Sequence, residues 1–410
     1  MALPALALGW SLVAAIPPIK YTADVRVDTV VRTKLLTERT PDPNQRVVSD
    51  LLIAPRLDSV MYTNRLEVKF VAEPQIFLRQ MPVPTFELLV SAYARADYKL
   101  RRNLTLIAVH TTTFGTFPLN DFGGAGGSDL PVAPRVDPSQ RTFLDSAYVY
   151  TESAVGFASS LGVKRLAVSG TLGWIVNGLL DYAVLPLKRQ DASYPQQRYP
   201  ELRMDANYGV SARDRLTLFV YGRDVSFSTA NRDVVLQVAP GIQHKFNPLV
   251  QGQLALGVAL GRVYPRLGLE PYNVNMPTVE VGLDAPVPIG LHWPVQAKLR
   301  ARYVPYMDPL STQLVPRGEV GLALKWEGRR KAIVTGEVRY AHPITAGLHR
   351  NDQEVRSEVE ALLPLPVSRY LFFQTKGQFM WRQHAVLASR TPVQWFTSVG
   401  LVMRYDRGRL

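Results

Sequence analysis

Strict alternation of apolar and polar side chains is the feature that most limits what this chain can fold into. In residues 295–303, VQAKLRARY, the cations Lys298, Arg300 and Arg302 alternate with apolar side chains. Successive side chains of a β-strand leave opposite faces, so these three cations share one face and the apolar side chains share the other. The same period of two recurs in YTADVRVDTVVRT, NRLEVKFVA, ELRMDANYGV, VTGEVRY and FFQTKGQFMW. We therefore predict an all-β fold whose strands are apolar on one face and charged on the other.

Composition narrows the classes of protein that such strands can build. The 410 residues include no cysteine, which excludes disulfides and thiolate-based catalytic or metal sites. Hydrophobic residues make up 47% of the chain, but no internal stretch of 18 apolar residues occurs that would span a bilayer as a helix. Alternating strands average to a neutral hydropathy, so this composition is compatible with a transmembrane barrel.

The connections between the alternating segments fall into two groups. Short polar connections are predicted at 100–104, 161–166, 212–216, 244–249, 326–331 and 365–370. Longer connections rich in Gly, Pro and Asn are predicted at 115–141, 177–200, 263–276, 304–315 and 341–353. Short turns at one end and long loops at the other are typical of outer-membrane barrels, whose periplasmic turns are short and extracellular loops long.

The segments amount to about 18 strands (16–18), with both termini on the short-turn side. We therefore predict a transmembrane antiparallel up-and-down β-barrel formed by residues 16–410 as a single domain. The apolar segment ALPALALGWSLVAAI is followed by Pro17 and Pro18. It predicts a signal peptide at residues 1–15 and a mature chain that begins near Ile16.

Aromatic residues fall near the predicted strand ends, where a barrel meets the two membrane surfaces. Those near short turns are Tyr98, Tyr208 and Trp326, and those near long loops are Tyr340, Trp381 and Trp395. In a wide barrel the apolar faces meet lipid and the charged faces meet an aqueous lumen. Both faces of the alternating pattern then have a suitable solvent.

In its architecture the chain resembles Gram-negative outer-membrane β-barrel pore proteins. The segment WFTSVGLVMRYD is similar to the terminal strand that the barrel-insertion machinery recognises, although Tyr405 is followed by DRGRL instead of ending the chain. By size, and by the lack of periplasmic repeats, it also resembles the barrel components of exopolysaccharide secretion systems. The resemblance implies an outer-membrane location and contact with outer-membrane lipid. For the second family it implies periplasmic export components as partners.

The charged faces supply the predicted pore-lining residues. These are Asp24, Arg26, Arg65, Glu67, Lys69, Lys298, Arg300, Arg302, Glu337, Arg339, Gln374, Lys376 and Gln378. Only the row Lys298, Arg300 and Arg302 carries a single sign. That row would draw anions inward or hold an acidic sugar polymer, because an Arg fork pairs with carboxylates in bidentate fashion. Alternatively, it pairs with Glu280, Asp284 and Glu319 on adjacent strands and keeps the wall rigid.

Three further aromatic residues share a face with charged residues of the predicted lumen. Phe219, Tyr221 and Tyr93 would stack on sugar rings, or would simply pack into the wall. The long loop 115–141 would fold inward as a constriction or remain external.

The net charge of +13 suits an acidic partner, but no Lys/Arg run or nucleic-acid-binding motif occurs, so no nucleic-acid partner is predicted. No P-loop, HExxH, GxSxG or dinucleotide motif occurs, and the six histidines lack metal-ligand spacing. We therefore predict no catalytic residue, no metal and no cofactor.

The predicted function is an outer-membrane channel with a wide, net-basic lumen that passes or exports a polysaccharide or another polar or anionic solute. A diffusion porin is the alternative. A lipid-modifying outer-membrane enzyme is a further alternative, although the sequence identifies no Ser–His arrangement at the membrane rim.

Overall fold

The computed structural model is a closed barrel of 18 antiparallel strands. It describes residues 19–33, 47–81, 86–115, 148–161, 165–179, 196–228, 230–265, 269–287, 295–308, 313–328, 332–343, 353–383 and 393–407. The strands are β1 (Ile19–Thr33), β2 (Val47–Tyr62), β3 (Leu66–Met81), β4 (Phe86–Arg101), β5 (Leu104–Gly115), β6 (Tyr148–Leu161), β7 (Leu166–Leu179), β8 (Gln197–Gly209), β9 (Asp214–Phe227), β10 (Arg232–Lys245), β11 (Gln251–Tyr264), β12 (Tyr272–Val287), β13 (Val295–Asp308), β14 (Gln313–Glu327), β15 (Ile333–Pro343), β16 (Gln353–Pro364), β17 (Leu371–Gln383) and β18 (Val393–Arg407).

Each strand pairs with its neighbours in the sequence, and β1 closes the sheet by pairing with both β2 and β18. Closure leaves no strand edge without a partner. The predicted up-and-down barrel of 18 strands is confirmed. Within these described ranges, no helix is long and apolar enough to cross a membrane.

The two ends of the barrel differ in their connections. β1 begins and β18 ends at one end, which we call the turn end, where residues 63–65, 102–103 and 210–213 join strands as short turns. The opposite end, the loop end, joins β5 to β6 through residues 116–147. The predicted signal peptide, residues 1–15, and nearly all of loop 115–141 lie outside the described residues.

Two of the predicted long loops are wrong, because at least half of the residues in each are strand. In the segment 304–315, β13 extends to Asp308 and β14 begins at Gln313. Pro305 faces Pro316 across these strands, beyond the last paired residues on β12 and β15. At such a position the N–H group that proline lacks is not needed for a hydrogen bond to β12 or β15. Proline therefore does not end the strand. Likewise, only residues 265–271 of the predicted loop 263–276 connect strands.

The barrel is inverted relative to a soluble protein, with apolar side chains outward and polar ones inward. Val155, Leu172 and Leu256 are exposed on the outer surface, whereas Asp28 and Glu152 are buried on the inner wall. An outward apolar band and a polar interior are the pattern of membrane barrels. The predicted interfacial aromatics all lie at outward positions near strand ends, namely Tyr98, Tyr208, Trp326, Tyr340, Trp381 and Trp395.

Apolar packing also occurs inside the barrel, at its loop end. One cluster joins β1, β2, β3 and β18 through Val30, Leu52, Ala54, Phe77 and Phe396. A second extends from β6 to β14 and consists of Tyr150, Ile175, Tyr199, Val225, Phe227, Val235, Ala259, Val263, Met276 and Leu314. The charged positions considered below lie mainly between these clusters and the turn end.

Candidate functional site: the inner wall of the barrel

The cross-strand register places nearly all of the predicted pore-lining residues on the inner wall. Cα partners point to the same side of a sheet. Asp24 is paired in register with Arg56 and Arg404, and Glu67 with Asp97. The corresponding pairings put the other predicted strand positions on the same inner side, namely Arg26, Lys69, Lys298, Arg300, Arg302, Glu337, Arg339, Gln374, Lys376 and Gln378. Arg65 is the exception, because it lies exposed in the turn between β2 and β3.

The row of cations on β13 is exposed on the inner wall. Arg300 is flanked in register by Gly282 on β12 and Gly321 on β14, so neither neighbouring strand places a side chain beside it. Lys298 is paired in register with Asp284, yet within the described ranges neither Lys298 nor Arg300 forms an ion pair. These two side chains present positive charge to the lumen.

Arg302, the third cation of the row, is paired. Its Nε lies 2.5 Å from Oε2 of Glu319, which is buried on β14. Glu319 also contacts Arg317 at 3.4 Å and Arg339 at 3.0 Å, and Arg317 in turn reaches Glu354 at 3.4 Å. A carboxylate shared by three guanidinium groups stabilises charges that would otherwise be costly to bury. The alternative of pairing with adjacent acids therefore holds for Arg302.

The polar row on β17 consists of Gln374, Lys376 and Gln378, and all three side chains are buried in the wall. Lys376 is only 3% exposed, and its Nζ lies 3.0 Å from Oε1 of Glu358. Gln378 donates to Glu358 at 2.6 Å, and Gln374 donates to Glu360 at 2.8 Å. These side chains contact Glu358 and Glu360 across β16 and β17, so they form part of the wall instead of presenting free polar groups to a solute.

Other strands of the inner wall carry both signs in close pairs. Arg26 lies 3.4 Å from Asp28, and Lys69 lies 3.1 Å from Glu67. Arg404 reaches Asp24 at 3.3 Å. The inner wall is therefore of mixed sign, and Lys298 and Arg300 add positive charge that forms no ion pair among the described residues.

The three aromatic residues proposed for sugar stacking differ in exposure. Phe219 and Tyr221 are partly exposed on β9, with ring centroids 6.1 Å apart and planes 9° apart. Tyr221 also donates a hydrogen bond of 2.8 Å to Glu201. Tyr93 is 4% exposed, so a stacking role for Tyr93 is wrong: its ring has no free face for a sugar.

Sequence reasoning missed one polar contact on the outer surface. His110 on β5 and Ser153 on β6 are paired in register, and His110 Nδ1 lies 2.9 Å from Ser153 Oγ. They are 43 residues apart, and only the register across β5 and β6 brings them together. The available signal was their position among outward apolar residues such as Leu106 and Val155. In the described part of the chain, no group of three or more His, Asp and Glu residues is placed to hold a metal ion.

The fold and the inner wall define a transmembrane β-barrel with a polar, charged interior, the class to which outer-membrane channels belong. No protein-family model matches the sequence, and no curated protein matches it. Solved structures of 18-stranded outer-membrane porins share the fold, in agreement with the predicted outer-membrane location.

Three solved structures illustrate this likeness. Pseudomonas aeruginosa OccK2 (OpdF) in complex with glucuronate is 12% identical, with 95% of this chain and 98% of that chain covered and a TM-score of 0.50. The FrpB iron transporter from Neisseria meningitidis is 7% identical, with 89% and 63% covered and a TM-score of 0.51. A BenF-like porin from Pseudomonas fluorescens Pf-5 is 9% identical, with 94% and 99% covered and a TM-score of 0.49. The expected likeness to exopolysaccharide secretion barrels finds no support among these structures.

Proposed function

We propose that the protein is a passive outer-membrane diffusion channel for small polar solutes, with a preference for organic anions. The observation that carries this proposal is that Lys298 and Arg300 are exposed on the inner wall of β13 and form no ion pair with any residue that the structure describes. Positively charged side chains that line a pore favour anions, because they raise the local anion concentration and lower the barrier to entry.

The geometry around Arg300 supports binding of a carboxylate. Gly321 leaves the space on one side of the Arg300 side chain open, whereas the Gln253 side chain of β11 lies over Gly282 on the other side. A guanidinium with free N–H groups forms bidentate hydrogen bonds with a carboxylate, whereas a guanidinium held by a protein acid, such as that of Arg302, is already engaged. Arg300 is therefore the residue that we expect to contact a passing anion directly.

A sugar acid is the first solute to test. Its carboxylate would meet Arg300, and its ring would meet an aromatic side chain such as Phe219 elsewhere on the wall. OccK2, a barrel of the same fold, was crystallised with glucuronate, which makes that compound a practical probe. The proposal needs no periplasmic export component, the partner that polysaccharide export would require, and it includes no catalytic step.

Liposome swelling tests the proposal. Vesicles that contain the purified barrel are placed in isotonic glucuronate or in isotonic glucose, and the initial swelling rates are compared. We expect glucuronate to enter faster than glucose, and the double variant K298E/R300E to lose this preference while its glucose rate stays the same. R262E is a matched control, since Arg262 is exposed on the outer face of β11. Equal entry of the two solutes into vesicles with the wild-type barrel would contradict the anion preference.

A further inference from the structure

The outer surface of the barrel carries a groove across β4 to β7 with a polar pair at its centre. The cavity measures about 590 Å³, and its outward lining includes Ala94, Ala96, Ala108, Val155, Leu172 and Trp174. Its lining combines small and larger apolar side chains, a volume and lining suited to an apolar ligand. His110 and Ser153 lie in this groove and are both exposed.

A polar pair is costly on a surface that faces lipid. Ionisable side chains at such positions are rare, and they usually pair with one another or mark a functional site. The 2.9 Å contact between His110 Nδ1 and Ser153 Oγ satisfies one ring nitrogen. Among the described residues Nε2 has no hydrogen-bond partner, so the ring retains one unused polar atom that faces the groove.

The neighbours of this pair in register include residue types that favour the membrane interface. Ser153 is paired with Trp174, and Trp174 with Pro200. Trp174 is 53% exposed on the outer surface, a position typical of the membrane interface. Two residues further towards the loop end, Arg198 is outward and exposed, which marks the beginning of the charged headgroup region. The groove, whose lining includes Trp174 and Pro200, thus extends towards the interfacial region, where the ester bonds of lipids lie.

Hydrogen-bond chemistry selects the ligand. A neutral imidazole donates through one nitrogen and accepts through the other. When the Ser153 hydroxyl donates to Nδ1, the ring proton resides on Nε2 and points into the groove as a donor. An acyl ester offers only acceptor oxygens, and its alkyl chain matches the alanine-lined floor. We propose that this groove binds an outer-membrane lipid, with His110 Nε2 donating to an acyl ester carbonyl and Ser153 fixing the ring.

A comparison of ester-linked with ether-linked lipids distinguishes the hydrogen bond to the ester carbonyl from general lipid binding, because an ether lipid has no such carbonyl. The purified protein in detergent is titrated with diacyl phosphatidylethanolamine or with the dialkyl analogue of equal chain length, and bound lipid is counted by native mass spectrometry. A hydrogen bond to the carbonyl predicts about fivefold tighter binding of the ester lipid by the wild type. H110F keeps a ring in the groove and should bind both lipids equally.

Two serine variants complete the test. S153A should weaken the ester preference, because it removes the group that orients His110. S159A is the matched control, since Ser159 also faces outward on β6 but pairs in register with Leu104, and it should behave as the wild type. Heat-modifiable migration checks that each variant is folded.

Equal affinity of the wild type for the two lipids, or an ester preference that persists in H110F, would overturn the proposal. So would a stable dimer that dissociates on substitution of His110, since the groove would then be an interface between two copies. Hydrolysis of the ester lipid during the titration would also contradict a site that only binds.

Discussion

Arg302 and Glu319 form an ion pair between β13 and β14, with Nε and Oε2 2.5 Å apart. Arg300, two residues earlier on the same face, has a glycine on each side and no such partner in the described structure. One row of cations therefore has two roles: Arg302 helps to hold the wall together, and Arg300 and Lys298 supply free charge to the lumen.

The network around Glu319 predicts unequal losses of stability. Arg317 is buried and contacts both Glu319 and Glu354, so R317A removes a buried cation from between two buried carboxylates and should cost about 3–5 kcal/mol. The side chain of Arg302 is 40% exposed, so R302A should cost about 1 kcal/mol or less. Urea unfolding in detergent micelles measures both. A larger fall in the midpoint for R302A than for R317A would contradict this account of the network.

The open space at Gly321 predicts a way to reduce the anion preference without altering Arg300. A Cβ at this position would come no closer than 3.7 Å to its neighbours, so a side chain fits. G321D places a carboxylate between Arg300 and Arg339, the register partners of Gly321. We expect the permeability ratio of chloride to potassium to fall in planar-bilayer measurements, because opposite charges directly across strands pair. The uncharged variant G321N should retain the wild-type ratio, and an equal fall in G321N would point to steric obstruction instead.

The exposure of the aromatic residues predicts which ring contacts a sugar. Phe219 is partly exposed on the inner wall, whereas Tyr93 is buried. F219A should therefore weaken the block of ion current by glucuronate several-fold, and Y93F should leave it unchanged. Single-channel recordings at increasing glucuronate concentration give the apparent affinity. If F219A leaves the block intact, Phe219 only packs against Tyr221 and does not contact the sugar.

The period-two pattern predicted the barrel well, because the residues of each strand that face lipid must be apolar and those that face water need not be. It placed Lys298, Arg300 and Arg302 on one face, and the register puts these three side chains on the same side of the sheet as Glu280, Asp284 and Glu319. Local pattern carries no information on pairing between strands. The burial of Lys376 against Glu358 and the contact between His110 and Ser153 both depend on that pairing.

Proline and glycine misled the prediction of the loops. Both residue types usually mark turns. Here the strands continue past Pro305 and Pro316, which lie beyond the last residues that pair with β12 and β15. The burial of Tyr93 was likewise beyond a prediction based on alternation, since the pattern gives the side of the sheet on which a residue lies and not how closely its neighbours cover it.

The most direct test of the proposed function is the reversal potential of the purified protein in a planar bilayer under a salt gradient. We expect steady, large conductance steps with a preference for chloride over potassium, and we expect K298E/R300E to reverse that preference while R262E retains it. Cation preference in the wild type would contradict the proposal that Lys298 and Arg300 present positive charge to the lumen. So would a selectivity that K298E/R300E leaves unchanged in a folded channel.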